Sequence, residues 1–304
     1  MDRLKGIVMI VLGGIFWGAS GPMLEWILVN SGMSVPSVLI IRLLLAGLLI
    51  LAFLKIKGQK ITLPLRQKVW VRQLVIFGVF GMLGVQYAFL ASIDESNAVI
   101  ATLFQFLAPI YIIIFISFRQ KTWPPIAQVL GIAVTFIGLF LLLTNGTLAG
   151  FTLSKIALFW GIVVGLSFAF YTLYPVRLMQ EWGVLLMVGW AMLIGGLALF
   201  AMNSVTFFKE LHHLLEWRMT GMLVLVIIVG TLAFVLFLTS MKYISPVETS
   251  VLSSFEPLTA MVISVLWLGQ MLGIWQTTGA IIMLGGVTWL SIAGGKAKVT
   301  SDKT

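Results

Sequence analysis

The sequence predicts an all-α membrane protein with ten transmembrane helices arranged as two inverted five-helix repeats. Hydrophobic residues make up 60% of the 304-residue chain and charged residues only 10%, whereas soluble domains carry about 25% charged residues. The apolar runs are continuous and about twenty residues long, which suits helices that cross a bilayer and not the alternating strands of a barrel. A repeat in the sequence supplies the third observation.

The apolar runs place ten spans along the chain. They cover residues 6–29, 36–56, 71–93, 97–118, 124–143, 153–177, 184–202, 219–241, 246–268 and 273–293. The connecting segments are short and leave no room for a soluble domain. The chain has no cysteine, so disulfides and thiol chemistry are excluded. The N-terminus runs directly into span 1 and lacks a small-residue cleavage site, so we expect a helix there and not a signal peptide.

The basic residues predict the orientation of the spans. With the N-terminus in the cytoplasm, fifteen of the 19 basic residues fall on the cytoplasmic side, and Lys155, Lys209 and Arg218 fall outside. Arg42 lies inside span 2. This bias predicts a multi-pass protein of the cytoplasmic membrane with both termini in the cytoplasm. It also accounts for the net charge of +9 without a nucleic-acid partner.

The chain repeats itself at a spacing of 148 residues. The shift superposes Val99 on Val247, Pro109 on Pro257, Gln128 on Gln276, Gly131 on Gly279 and Gly138 on Gly286. Residues 1–148 and 149–304 then hold five spans each, and because five is odd the second half must be inverted relative to the first. Inverted repeats are typical of secondary transporters, whose substrate site lies near the membrane midplane between the repeats.

Span 9 contains the leading candidate residue, Glu256. A carboxyl at that depth is costly unless it faces a cavity or a partner, so it indicates a functional site. At about 100° per residue, Thr249 and Ser253 share its stripe of the helix. Pro257 is predicted to kink the helix and to free the Ser253 carbonyl oxygen. The alternative is a neutral carboxyl that only stabilises the kink.

Span 4 has a similar pattern. Asn97 and Gln105 share one stripe, and Pro109 is predicted to bend the helix and free the Gln105 carbonyl oxygen. Polar groups at equivalent places in two inverted repeats are expected to face each other. The alternative for Gln105 is a structural hydrogen bond between helices.

Two further charges and three rings complete the candidates. Glu25 shares a face of span 1 with Trp17, but it lies near the outer end, where it can also reach water. For Arg42 we expect a side chain that extends outward, pairs with Glu25 or binds a substrate carboxylate. Trp17, Tyr87 and Tyr171 are the aromatic candidates for a cavity wall, although a single ring in such a helix more often only packs.

Three short runs resemble the EamA-type branch of the drug/metabolite transporter superfamily. They are Phe16-Trp17-Gly18 in span 1, Leu107-Ala108-Pro109 in span 4 and Phe255-Glu256-Pro257 in span 9. The resemblance covers nearly the whole chain as two five-helix units. It implies a ten-helix carrier with a central cavity lined mainly by helices 1, 3, 4, 6, 8 and 9, and mostly export of amino acids or related metabolites. One departure is that the family often ends helices 4 and 9 with a Gly-Glu pair, where this chain has Lys121-Thr122 and Gly269-Gln270.

The sequence therefore predicts a secondary transporter that moves a small metabolite, such as an amino acid or a related amphipathic solute, by alternating access. Proton-coupled efflux of organic cations is the alternative. A membrane-embedded enzyme is a remote alternative, because the chain has no Gly-x-Ser-x-Gly, His-Glu-x-x-His or Walker motif. We predict no catalytic residue, metal or cofactor. The expected partners are the solute and the lipid bilayer, with a proton or cation left open as the coupling ion, and the chain is expected to be a monomer or homodimer.

Overall fold

The computed structural model describes residues 2–121, 123–146, 153–240, 242–244, 252–253 and 255–301. These residues are almost entirely helical, and no strand occurs among them. The α-helices are α1 (Asp2–Ser31), α2 (Val35–Ile56), α3 (Lys68–Ile76), α4 (Gly84–Glu95), α5 (Ala98–Gln105), α6 (Ala108–Gln120), α7 (Ile126–Thr144), α8 (Lys155–Leu173), α9 (Val176–Trp182), α10 (Val184–Glu210), α11 (Trp217–Ser240), α12 (Phe255–Leu268) and α13 (Ile274–Ser301). A π-helical segment, Phe77–Leu83, joins α3 to α4.

Seven helical stretches within the described residues are long and apolar enough to cross a bilayer. They are Arg3–Ser31, Val35–Ile56, Lys68–Glu95, Ala98–Arg119, Lys155–Leu173, Val184–Leu215 and Trp217–Phe237. The apolar helices α7 and α12 are shorter, and with α13 they lie at predicted spans 5, 9 and 10. The prediction of an all-α membrane protein is confirmed.

Several span ends differ from the prediction; for example, span 10 was expected to end at residue 293, but α13 continues to Ser301. Span 6 was expected to reach residue 177, but α8 ends at Leu173 and Pro175 precedes the short helix α9. Proline has no N–H to continue the hydrogen bonds of α8. Span 7 was expected to end at residue 202, but α10 continues to Glu210 through a kink at Asn203. The Asn203 side-chain amide donates to the Leu199 carbonyl oxygen at 3.1 Å, so this polar residue is accommodated inside the helix.

The main helix contacts of one half of the chain have equivalents in the other half. Helix α1 packs against α11 and α12, and its counterpart α8 packs against α4, α5 and α6. The counterparts α2 and α10 pack against each other, and so do α7 and α13. Each half therefore contributes equivalent contacts in these helix pairs.

The crossing of α7 and α13 brings two helix backbones together. A Cβ atom at Gly138 would lie 2.6 Å from the Gly279 carbonyl oxygen, and a Cβ atom at Gly279 would lie 2.6 Å from the Gly138 carbonyl oxygen. A Cβ atom at Gly286 would lie 3.1 Å from the Gly131 carbonyl oxygen. Glycine permits this approach because it has no side chain. The 148-residue shift converts the contact of Gly138 with Gly279 into that of Gly286 with Gly131, so the crossing contains equivalent contacts.

Candidate functional site

A small buried cavity lies between helices of both halves of the chain. It has a volume of about 30 Å³ and is lined by Trp17, Ser20, Arg42, Val85, Gln86, Phe89, Gln105, Phe168, Phe234 and Glu256. These side chains belong to α1, α2, α4, α5, α8, α11 and α12. All six helices implied by the family resemblance contribute, and α2 adds Arg42. A volume of this size holds about two water molecules.

A hydrogen bond between the two halves crosses the site. Gln105 Nε2 donates to Glu256 Oε1 at 3.0 Å. Both side chains are buried, with exposed fractions of 6% for Gln105 and 3% for Glu256. Gln105 is the last residue of α5, and Glu256 is the second residue of α12, where the N-terminal end of the helix dipole favours an acidic side chain.

The two prolines lie in the first turns of helices. In span 4 the α-helix is interrupted at Phe106 and Leu107, and Pro109 is the second residue of α6. Proline is well tolerated there, because its missing N–H would have no partner within the helix. Pro257 lies at the equivalent place in α12. The predicted free carbonyl at Ser253 is wrong, because its oxygen accepts the Glu256 N–H at 2.9 Å in a tighter, three-residue turn.

Glycine on α1 brings that helix close to Glu256. A Cβ atom at Gly18 would overlap the Glu256 carbonyl oxygen and would lie 2.7 Å from Thr259 Cβ. The two helices can approach this closely only because residue 18 has no side chain. The contact holds the first turn of α12 against the face of α1 that carries Gly14 and Gly18.

Aromatic rings form one wall of the cavity. The Trp17 ring centroid lies 4.7 Å from that of Phe234 and 6.2 Å from that of Phe168, and both pairs have edge-to-face geometry. Tyr171 lies behind this wall, with its ring centroid 5.8 Å from Phe168 and 5.9 Å from Phe234. It is buried but does not line the cavity. Within the described residues its hydroxyl has no hydrogen-bond partner.

Arg42 lies inside the protein with an exposed fraction of 6% and lines the cavity. Gly230 on α11 leaves space for it, since a Cβ atom there would lie 2.6 Å from Arg42 Nη2. In the part of the chain that the structure describes, no ion pair or hydrogen bond reaches the guanidinium group. The expectations that Arg42 extends outward or pairs with Glu25 are therefore wrong.

Glu25 and Asn97 lie together, away from the cavity. Glu25 Oε2 accepts the Ala98 N–H at 2.8 Å, and Glu25 Oε1 accepts a hydrogen bond from the side-chain amide of Gln270. Asn97 caps α5, because its Oδ1 accepts the Ile100 N–H at 2.9 Å. Glu25 thus connects α1 to the start of α5 and to the turn between α12 and α13. A separate pocket of about 120 Å³ adjoins Glu25.

Two other predicted residues are not among those that line the cavity. Tyr87 is half-buried and packs against Trp160, with ring centroids 5.5 Å apart. Ser253 is half-buried and is not a lining residue. Thr249 lies outside the described residues.

The sequence analysis missed Gln86 and Ser20. Gln86 is 4% exposed, and its Nε2 contacts Met82 Sδ at 3.1 Å. Its Oε1 is buried and has no partner among the described residues. An amide within an apolar span is itself an indication of function and could have identified Gln86. Ser20 follows Trp17 by one helical turn, so the two share a face of α1.

Comparison with known proteins identifies the family. The profile of the EamA-like transporter family matches residues 4–144 and 155–292. The chain belongs to the EamA-like transporter family. The resemblance predicted from the three short sequence runs is therefore confirmed. The membership makes the chain a membrane transporter of small solutes.

Two relatives of this EamA-like chain are themselves described as transporters. An uncharacterized inner membrane transporter of Salmonella typhimurium, YicL, is 36% identical over 293 residues, which cover 95% of each chain. An uncharacterized transporter of Archaeoglobus fulgidus is 26% identical over 216 residues, which cover 71% of this chain and 75% of the relative. One solved crystal structure covers 97% of this chain and 99% of its own, with a TM-score of 0.63 at 14% identity. That last likeness shows a shared fold.

Proposed function

We propose that this EamA-like chain is a secondary transporter that exports a small amphipathic metabolite, an amino acid or a related solute, across the cytoplasmic membrane. The observation that carries the proposal is the buried cavity between the two halves, where Gln105 of one half binds Glu256 of the other. Secondary transporters hold their substrates at such an interface. Rings, amides and a carboxyl suit an amphipathic solute. A nucleotide sugar fits poorly, because Arg42 is the one cation among the lining residues that the structure describes.

We propose that residues 1–148 and 149–304 are inverted repeats, with both termini in the cytoplasm. The match of the family profile to two separate segments supports this division. The equivalent helix pairs, and the equivalent contacts of Gly138 with Gly279 and of Gly286 with Gly131, support a two-fold relation. The distribution of basic residues supports the orientation. The Salmonella relative is described as an inner membrane transporter, which agrees with the proposed location.

The small size of the cavity supports alternating access. Ligand pockets commonly measure about 300–1,000 Å³, and this cavity measures about 30 Å³. The helices around it must separate before a metabolite can enter. The hydrogen bonds of Glu25 join α1 to the turn after α12, which belongs to the other half, at the proposed outer end. Opening toward the outside must break this link.

Metabolite export by cells that overproduce the chain tests the proposal. Wild-type cells should release one or more metabolites faster than cells that produce Glu256→Gln, which keeps the shape of the side chain but cannot ionise. Glu216→Gln alters an exposed carboxylate and should export like the wild type. The released solutes then enter counterflow assays in proteoliposomes. Identical metabolite profiles for wild type, Glu256→Gln and empty vector would contradict the proposal.

A proton is the proposed coupling ion, because Glu256 is the carboxyl of the cavity and an isolated ionised carboxylate in an apolar medium is costly. Flux of the identified solute should respond to an imposed pH gradient in the wild type. The same gradient should have no effect on Glu256→Gln. An equal response of the two proteins would exclude Glu256 as the coupling group.

A further inference from the structure

We propose that Arg42 binds the carboxylate of the transported solute, so that the cavity selects solutes with a carboxylate and an apolar or aromatic body. This inference rests on the proposed transport function and names the substrate class of the same cavity. Arg42 comes from α2, a helix outside the set of lining helices that the family resemblance implies.

The first argument is that the Arg42 guanidinium has no partner in the described protein. It is buried, faces the cavity, and makes no ion pair or hydrogen bond with the residues the structure describes. A buried charge without a partner is costly. In membrane proteins such a charge marks a substrate path or a ligand counter-ion. A ligand anion in the cavity supplies the missing partner.

The geometry of arginine favours a carboxylate. The guanidinium group presents a planar fork of N–H donors that matches the two oxygens of a carboxylate. Phosphates also bind arginine, but they carry more charge, and within the described part of the lining Arg42 is the one cation. A single carboxylate neutralises Arg42 without an excess of negative charge.

The cavity also offers acceptors for an amine. Glu256 retains one carboxyl oxygen beyond its hydrogen bond with Gln105, and the buried Oε1 of Gln86 has no partner among the described residues. Arg42 and Glu256 line the same cavity without forming an ion pair. A zwitterion with adjacent amine and carboxylate groups can satisfy both. An organic cation without a carboxylate would leave Arg42 unpaired, so the structure disfavours that alternative.

The aromatic wall accounts for the rest of the solute. Trp17, Phe89, Phe168 and Phe234 line the cavity between the polar groups. Rings bury large apolar areas and pack well against other rings or aliphatic chains. The combination predicts amino acids with aromatic or branched aliphatic side chains.

Matched ligand pairs test the proposal. The probes are L-phenylalanine and L-leucine, each paired with its carboxamide, which keeps the shape and the amine but removes the charge of the carboxylate. Purified full-length protein in proteoliposomes is assayed for counterflow and for thermal stabilisation. At least one amino acid should bind, and its carboxamide should bind roughly 30-fold or more weakly, the loss typical of an unpaired buried charge. Equal binding within each pair, or no binding by either amino acid, would overturn the proposal.

Arg42 variants provide the second readout. Arg42→Met removes an uncompensated buried charge, so it should raise the unfolding temperature of the empty protein while abolishing binding of the amino acid. Arg42→Lys keeps the charge but loses the fork, so binding should weaken less than in Arg42→Met. Arg218→Met, at an exposed site, should change neither property. If Arg42→Met lowers the unfolding temperature or leaves binding intact, Arg42 is structural and the proposal fails.

The two proposals fail in different ways. Export of an amine that lacks a carboxylate, with Glu256→Gln inactive, would keep the transport function and remove the role of Arg42. Absence of transport for every released solute in proteoliposomes would remove both.

Discussion

Gly286→Ala should destabilise the protein by about 1–3 kcal/mol, the usual cost of an extra methyl group in a well-packed core. A Cβ atom at Gly286 would lie 2.8 Å from the Thr135 backbone nitrogen and 3.1 Å from the Gly131 carbonyl oxygen, whereas ordinary contact begins at 3.4 Å. Both neighbours are backbone atoms of α7, so neither can rotate away. The two helices must move apart by about 0.6 Å to restore the 3.4 Å separation from the nitrogen.

The adjacent glycine is the matched control. A Cβ atom at Gly285 has no heavy atom within 4 Å among its counted neighbours. Gly285→Ala adds the same methyl group to the same helix, so it should be neutral or slightly stabilising through the better helix propensity of alanine. The comparison separates overpacking from any general effect of alanine on α13.

Thermal unfolding in one detergent, followed by circular dichroism, measures the difference. Domains of 150–250 residues shift by about 2–4 °C per kcal/mol, so Gly286→Ala should lower the midpoint by roughly 2–12 °C. Gly285→Ala should stay at or above the wild-type midpoint. Equal midpoints for the two variants would refute the reasoning, because they would show that α7 and α13 do not meet at Gly286.

Two further predictions concern topology and closure. In this cysteine-free chain, single cysteines at Gln59 and His212 should label oppositely with an impermeant thiol reagent, inside and outside respectively; equal labelling from outside would contradict the ten-span topology. Glu25→Ala should speed the labelling of Ser20→Cys from outside, because it removes the hydrogen bonds to Ala98 and Gln270. The control is Asn97→Ala, which removes only a helix cap and should leave the labelling rate unchanged. An unchanged rate in Glu25→Ala would show that these bonds do not close the outer end.

The fold was predictable because membrane helices follow from composition and length. Apolar runs of sufficient length must be helical in lipid, and the 148-residue spacing identified the glycines that meet between α7 and α13. Glu256, Gln105 and Trp17 were also predictable as cavity residues, because a polar group at membrane depth needs a partner or water.

The errors arose where the direction of a side chain around its helix had to be inferred from the position of the residue along that helix. The direction of the Arg42 side chain was expected from the position of the residue within span 2. That position sets the depth of Arg42 in the membrane but not the side of the helix on which it lies. Tyr87 was preferred to Gln86, although adjacent residues point about 100° apart on a helix. Asn97 lies on the predicted stripe with Gln105. Because it precedes the first residue of α5, however, its side-chain oxygen Oδ1 caps that helix. Neighbouring helices decide these directions, and one sequence does not contain them.

The glycine crossing of α7 and α13 has a mechanical consequence. Neither helix contributes a side chain to the described lining of the cavity, and their backbones come into contact at glycines. Such a contact resists separation but permits one helix to turn against the other. If the two halves rock about this crossing, distances change least there and most at the cavity, which lies elsewhere in the bundle. The α7–α13 pair then acts as a fixed pivot, and bulk added at Gly138 or Gly286 would slow the exchange between conformations even where the protein still folds.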